Sequence, residues 1–420
     1  MASSNNVPVI QVLEREHYFN QALVSVPSAL PYPSLAPSSL RIRTKLMSLS
    51  ANNFTYAKFG FLFNWWNVYP IPEGTPSPYS DTTKYGRVSA WGWAEVVEST
   101  HDSVPVGSMI WGYVPIGTLA HDVKVRDADV PGQILAINES RQILMSIYNR
   151  YFTCTGTAAD DLKKSIDSGS DSAAYDALVR VMFETAYLMN RYMFGTSAAL
   201  PSNMPGVTWT AEQANIKDAT IINLAPGSKA GLCFVHELRH ARGDESRARQ
   251  VIGAASEISK SFVEGTGLYD AVVSSREPPV DVLTKFGVAD GDKVVLADFG
   301  GRGNAMMTWA MALAPKYKNL IMLTVGSEIV EVTQAQVLEA FQTASSVVVV
   351  NVTDIREQAV ALDGEKAYVD KLEQAWGTVK KEGFRGLKVK WGIGMDDVKQ
   401  GWDTIAKGEA KPDEGLVFRL

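Results

Sequence analysis

The sequence predicts an α/β protein in which a small β barrel precedes a doubly wound parallel sheet. Three observations lead there. Residues 40–125 break into short β-rich runs separated by Gly and Pro, the pattern of a barrel with frequent turns. From Thr220 onward, apolar strand-like runs alternate with helical segments, as crossovers between parallel strands require. Between the first such strand and its helix lies a turn of small residues, Ala225 to Gly231, where a parallel sheet opens toward a ligand.

The elements follow in order. Residues 1–40 are rich in Ser, Pro and Ala, most of all from Val26 to Ser39, and read as an irregular arm. The barrel is expected over 41–150, with strands at Leu40–Ser48, Gly86–Ser99 and Met109–Val114. An aromatic-dense loop from Phe59 to Tyr69 carries Phe61, Phe63, Trp65, Trp66 and Tyr69 beside Pro70 and Pro72. So many rings there suit a pocket wall or a subunit contact, or simply core. Residues 151–215 read as a helical insert. Leu178, Met182, Tyr187, Leu188 and Tyr192 fall at helical spacing, so one long amphipathic helix is predicted over Asp171–Phe194, after an exposed polar stretch at Asp160–Gly169.

The parallel sheet is expected over 216–360. Its strands are Thr220–Leu224, Val251–Ser256, Asp270–Ser274, Lys293–Asp298, Leu320–Gly326 and Ser345–Val352. Residues 361–420 read as helical, with Trp376 and Trp402 packing this end back onto the protein. The first turn is not a complete G-x-G-x-x-G, and it leads into a helix from Leu232 to about Arg242. That helix holds a second motif. His236-Glu237-Leu238-Arg239-His240 has the spacing of two zinc-binding histidines with a general base between them. Ser246 stands where a third histidine would be expected, and histidines are ordinary near a helix C-terminus, where they suit the dipole. The motif therefore reads as helix surface, and no metal is expected.

Composition bounds the function. The chain has 420 residues, 46% hydrophobic and 20% charged, enough for two domains with cores of their own. A net charge of −6 without a Lys/Arg run gives no electrostatic footing for nucleic acid or an anionic membrane. Met1–Asn6 lacks the basic and apolar regions of a secretory signal, and no apolar run approaches the ~20 residues that span a bilayer, so a cytoplasmic protein is expected. The two cysteines, Cys154 and Cys233, supply neither a disulfide framework nor a four-cysteine zinc lobe.

Local wording narrows the fold further. Ser48–Gly60, Tyr85–Val97, Gly107–Asp122 and Tyr148–Cys154, continued by Ala225–Phe234 and Val263–Ser275, resemble an uncharacterised bacterial and fungal family related to quinone oxidoreductases. The resemblance runs from about Leu40 to Val330 and more weakly to the C-terminus, Asp413–Leu420. It implies the medium-chain dehydrogenase/reductase architecture, a GroES-like β barrel plus a Rossmann-type doubly wound parallel sheet. Zinc-dependent members of that superfamily place a cysteine where this chain has Asn52 and Asn53, so zinc independence is implied. By position Asn52, Asn53 and Tyr56 either hold and protonate a substrate carbonyl, or cap a turn and fill core. Gly227, Ser228, Lys229 and Gly231 would meet a pyrophosphate. Ser256 and Lys260, at the end of the second strand, favour the 2′-phosphate of NADPH, against Glu257. Gly300 and Gly326 would lie on the nicotinamide side, and Phe61, Trp65, Trp66, Tyr69 and Tyr187 would wall an apolar substrate pocket.

The resemblance thus implies a zinc-independent, NADPH-dependent reductase of an enone, quinone or other carbonyl in a hydrophobic, even polyketide-like, small molecule. Homodimers are common in that superfamily. Pro226 and Lys229 depart from the all-small turn of typical relatives, which keeps two alternatives open. One is non-redox chemistry (cyclisation, hydration or C–C cleavage) on the same kind of ligand, and the other is a non-catalytic binding protein.

Overall fold

The computed structural model describes residues 7–195, 209–343, 347–350 and 352–420. The chain opens with order that its composition conceals. β1 (Val9–Glu14) and β2 (Gln21–Ser25) form an antiparallel hairpin around Ile10, Val12, Val24 and Val26. The irregular arm is confined to the Ser/Pro-rich stretch after it. β3 (Ser39–Leu49) leads into α1 (Ala51–Lys58), whose start is fixed by a capping box between Ser50 and Asn53. β4 (Tyr85–Gly86), β5 (Ser89–Ser99), β6 (Met109–Pro115), β7 (His121–Asp127), β8 (Gln133–Ala136) and β9 (Arg150–Cys154) follow.

Next comes a helical layer of α2 (Gly156–Asp167), α3 (Asp171–Leu178), α4 (Arg180–Leu188) and α5 (Ala211–Ala214). The expected single helix from Asp171 to Phe194 is broken at Val179, where φ is −119°. The break lets α3 cover β3 and β5 while α4 turns onto the helix Lys229–His240, so each half buries its apolar stripe against a different surface. A π turn, Met189–Met193, ends it. The polar stretch at Asp160–Gly169 is mostly helix α2, anchored by Ala159 and Ile166.

The second half alternates as expected: β10 (Thr220–Leu224), α6 (Lys229–His240), β11 (Gln250–Ala255), α7 (Glu257–Thr266), β12 (Ala271–Ser274) and α8 (Pro279–Lys285). Then come β13 (Val294–Phe299), α9 (Ala305–Leu313), β14 (Leu320–Gly326), α10 (Gln334–Thr343) and β15 (Val348–Val349). Ser345, Ser346 and Asn351 of the expected last strand lie outside the described residues. The C-terminal part is α11 (Val352–Asp363), α12 (Glu365–Glu382), β16 (Lys388–Ile393), α13 (Gly394–Ala406) and β17 (Glu414–Arg419). It is therefore not purely helical.

Two sheets organise these elements. β3-β5-β6-β9-β8-β7 are hydrogen-bonded in that order and β7 returns to β3, closing a six-stranded barrel with no free edge of its own. β17 adds antiparallel to the far end of β3, from Leu416↔Leu49 to Arg419↔Leu46, and β16 lies parallel beside it. The barrel part thus draws strands from both ends of the chain. The other sheet is parallel throughout, in the order β12-β11-β10-β13-β14-β15. That is the dinucleotide-fold order.

The barrel, α3 and α12 are tied together at one buried carboxylate. Asp176 is 3% exposed. It accepts hydrogen bonds from Trp93 Nε1 (3.3 Å), Trp376 Nε1 (3.1 Å) and Lys380 Nζ (2.7 Å), while its backbone oxygen accepts from Trp111 Nε1 (2.8 Å). Removing one partner of a buried ion pair strands the other, at ~3–5 kcal/mol. Asp176→Ala is therefore expected to lower unfolding free energy by that amount in denaturant titration. Asp176→Asn should lose less, because an amide oxygen still accepts an indole N–H. A loss below ~1 kcal/mol for the alanine variant, the scale of an exposed pair, would contradict this role.

Candidate functional site

β10 and β13 are neighbours in the register Leu224↔Asp298, yet their chains leave for opposite faces of the sheet. Leu232, Phe234 and Val235 of α6 pack in one hydrophobic cluster, whereas Met306 and Trp309 of α9 pack in the other. Above this strand pair the connections part, and a crevice opens. Its floor is the turn Ala225–Ser228. Asn223 Nδ2 donates to Tyr269 Oη (2.8 Å), which donates to the Pro226 carbonyl (2.8 Å), so the turn is buttressed from below. Ser228 Oγ caps α6 by accepting from Gly231 N (3.1 Å). Among the described residues, the N–H groups of Gly227, Lys229 and Ala230 are left without a protein acceptor. Free amides at a helix start suit phosphate oxygens.

The expected cofactor residues divide. Gly231 sits where a Cβ would come within 3.1 Å of the Asn223 side chain and 3.0 Å of Ala225 O, so glycine there permits helix and strand to approach. Gly300, at φ +99°, and Gly326 permit the close approach of the β13 and β14 ends: a Cβ on Gly326 would lie 2.7 Å from Phe299 backbone. Lys229 does not reach over the turn. Its Nζ donates to Glu414 O at 2.7 Å, tying α6 to β17, and burial pulls its pKa down to about 8. The side chain is withdrawn because an acceptor on the barrel sheet is within its reach. Ser256 holds the position before the first turn of α7 in the open and makes no side-chain cap, its Oγ lying 2.9 Å from Ser259 Oγ. Lys260 has no protein partner among the described residues, and the opposing acid Glu257 accepts from Ser274 Oγ at 2.6 Å.

On the barrel side, α1 brings Asn52 and Tyr56 together. Asn52 Nδ2 and Trp91 Nε1 each donate to Tyr56 Oη at 2.7 Å. Burial holds the Tyr56 pKa well above that of a free phenol. Asn53 belongs to the fold instead: Oδ1 accepts from Ser50 N (2.9 Å) and Nδ2 donates to Ser89 O (3.1 Å), which leaves it nothing for a substrate. Two residues beyond Tyr56, at the end of α1, Lys58 Nζ reaches Ser327 Oγ (3.1 Å), just past β14. The tyrosine-bearing helix is thereby fastened to the strand ends that border the crevice.

Of the expected pocket aromatics, Trp65 lies against Tyr56, with ring centroids 4.8 Å apart, and Phe61 is half-buried at the core margin. Trp66 is core, packed where Gly60 and Gly86 leave room for its indole, with Arg15 over its ring. Tyr69 is also core, its Oη 2.9 Å from Tyr151 Oη and 3.2 Å from Arg141 Nη1. Tyr187 is buried in the same large core but meets other rings, those of Phe183, Tyr192 and Tyr368. A helical-spacing pattern identifies a buried face without saying which neighbours it meets.

Asp298 was not singled out in the sequence, where it only ends an apolar strand. It stands at the crevice, 8% exposed, its Oδ1 accepting from Gly300 N (2.9 Å) and Gly301 N (2.6 Å). Burial raises its pKa to about 6, opposed by those two amides and reinforced by Glu328. The backbone donors, the open Ser256–Lys260 corner and the parted strands fit a dinucleotide, with Asp298 as an added negative charge. Among the described residues no cluster of three or more His, Cys, Asp and Glu could hold a metal ion, and no helix is long and apolar enough to cross a membrane.

An acid whose folded pKa exceeds its unfolded value binds its proton more tightly when folded. The ionised form therefore costs stability above about pH 6, and the cost is relieved as pH falls toward 4. A shift of roughly two units amounts to ~3 kcal/mol at most. Asp298→Asn keeps an acceptor for the two amides, so it should raise stability near neutral pH and flatten the pH dependence between about 4 and 6. An unchanged stability–pH profile in denaturant titrations would contradict this.

The fold has counterparts among solved structures. CurA from Vibrio vulnificus in complex with NADPH matches at TM-score 0.54 and 13% identity over 98% of each chain. A putative NADPH:quinone reductase from Bacillus thuringiensis matches at 0.54 and 14%, covering 98% of this chain and 99% of that one. A mutant form of enoyl thioester reductase from Candida tropicalis matches at 0.51 and 13%, over 99% and 100%. At such identities the likeness establishes the fold, a barrel joined to a Rossmann-type sheet. No curated protein matches the sequence. A family model described as "Protein of unknown function (DUF2855)" matches residues 47–411, and the chain belongs to that family.

Proposed function

We propose that the protein is a zinc-independent, NADPH-dependent reductase of an enone, quinone or other carbonyl in a hydrophobic small molecule. The observation that carries this reading is the meeting of two half-sites. α1, with its hydrogen-bonded Tyr56, is fastened through Lys58 and Ser327 to the strand ends beside the phosphate-receptive turn. Bound NADPH would supply a hydride. The chain's own part is to seat the phosphates on the amides of Gly227, Lys229 and Ala230, with Ser256 and Lys260 beside the 2′-phosphate. Tyr56 supplies the proton to the developing enolate or alkoxide. Its oxygen already accepts from Asn52 and Trp91, and those donors stabilise the phenolate left behind. Trp65 gives the reacting carbon an apolar neighbour. The NADPH complex of CurA, similar in fold, supports the choice of cofactor.

Asp298 favours a second reading. A crevice acid with a pKa of about 6 suits a general base, so non-redox chemistry on the same kind of ligand is the alternative.

The test is NADPH consumption with a panel of apolar enones and quinones. Loss of a positioned general acid costs ~100-fold or more, so Tyr56→Phe should lower kcat by at least that factor with NADPH affinity unchanged. Asn52→Ala, which leaves the phenol in place, should give a smaller loss. Wild-type turnover by Tyr56→Phe would contradict the assignment. Lys260→Ala should weaken NADPH about tenfold, the effect of ~1.4 kcal/mol, and leave NADH unchanged. Equal losses for both nucleotides would remove Lys260 from 2′-phosphate recognition.

A further inference from the structure

The far end of α6 carries a feature that the proposed reaction leaves unused. His236 and His240, one turn apart, line a cavity of about 350 Å³. Tyr175 of α3, Thr266 and Leu268 at the end of α7, and the 382–385 turn with Glu382, Phe384 and Arg385 complete its wall. The H-E-x-x-H spacing thus builds a cavity, but not that of a peptidase. Glu237, which would be the general base, is outside the lining, on the buried side of His236, with Oε1 3.7 Å from Nδ1.

Hydrogen-bond accounting defines what would fill the space. Glu382 is already engaged, its Oε2 3.2 Å from His236 Nε2. His236 is 6% exposed and held between Glu237 and Glu382, whose carboxylates outweigh burial and raise its pKa. Tyr175 Oη accepts the Phe384 N–H at 3.1 Å, which leaves its own O–H to donate. The His240 ring lies tilted by 42° against that of His236 at 4.5 Å between centroids, and its ring nitrogens have no protein partner among the described residues. Arg385 is exposed and its guanidinium has no carboxylate partner among them either. The neighbouring Arg239 is matched by Asp270 at 2.8 Å. Among the described residues the wall therefore offers several donors and one cation without a carboxylate partner, and its one carboxylate, Glu382, is paired with His236. An occupant must bring acceptors and negative charge.

We propose that this cavity binds a small organic oxyanion, a carboxylate or a phosphate monoester, held by Arg385 and Tyr175 with the ring of His240 against it. At a share of ~30 Å³ per water the space corresponds to roughly ten water molecules, room for a metabolite of amino-acid or sugar-phosphate size. The site is separate from the crevice, so it stands whether or not the protein reduces anything.

The test is calorimetric titration of the full chain with inorganic phosphate and, separately, with succinate, while the His240 ring is followed by NMR. One saturable site that shifts the His240 resonances supports the proposal, and the tighter probe tells phosphate from carboxylate. Arg385→Ala should weaken that binding at least tenfold, and its melting temperature without ligand should match wild type because Arg385 is exposed. Three results would overturn the proposal. One is no saturable binding of either anion. Another is binding that survives Arg385→Ala with His240 unmoved, which would place the ion elsewhere, as at the amides of the first turn. The third is stoichiometric zinc binding abolished by His240→Ala, which would make this a metal site.

Discussion

The parting of the chain above β10 and β13 is the constraint on which the rest depends. Parallel neighbours with right-handed crossovers on opposite faces leave a gap that no connection crosses. The alternation of the two strands records it. Ile221 and Val295 face one hydrophobic cluster, Ile222, Leu224, Val294 and Leu296 the other, and helices cover both. With both faces covered, the C-terminal edge of the sheet is where its loops diverge. The first turn, Asp298 and the β14 terminus are therefore brought together by topology, although 100 residues separate the first of them from the last.

A second tie decides what stands opposite that edge. The C-terminal residues return to the barrel, β17 onto β3 and α12 onto α3, and Asp176 joins the two through indole N–H groups and Lys380. Lys229 contributes to the same closure by reaching Glu414. A residue expected to touch a pyrophosphate instead helps fix the angle between the two halves. On the proposed reading the amides of the turn receive the phosphates without it, and Lys260 is the cation that follows the end of β11.

The sequence made some of this legible and hid the rest for physical reasons. β10 falls where the β-rich apolar run Thr220–Leu224 predicted it, because a fully buried parallel strand writes itself as a short, mostly apolar stretch. The strands at both chain ends were missed for different reasons. Val9-Ile10-Gln11-Val12-Leu13 was overshadowed by the Ser/Pro-rich segment after it, and Lys388-Val389-Lys390-Trp391 has a strand's period of two but lies among helical residues. Asn53 could have been read as structural from its place three residues after Ser50, a capping-box spacing. Val179 carries no such mark, since two helices that share one spacing look like one until their partners are known. Asp298, Lys58 and the direction taken by Lys229 depend on neighbours distant in sequence, which no local pattern contains.

The central claim is that the crevice binds a phosphorylated dinucleotide beside Tyr56. Titration of the purified protein with NADPH and with NADH, by calorimetry at fixed salt, tests it most directly. The account predicts one NADPH per chain and NADH at least ~10-fold weaker, a difference of about 1.4 kcal/mol. Absence of binding by both nucleotides would contradict it and leave the parted strands to a different ligand.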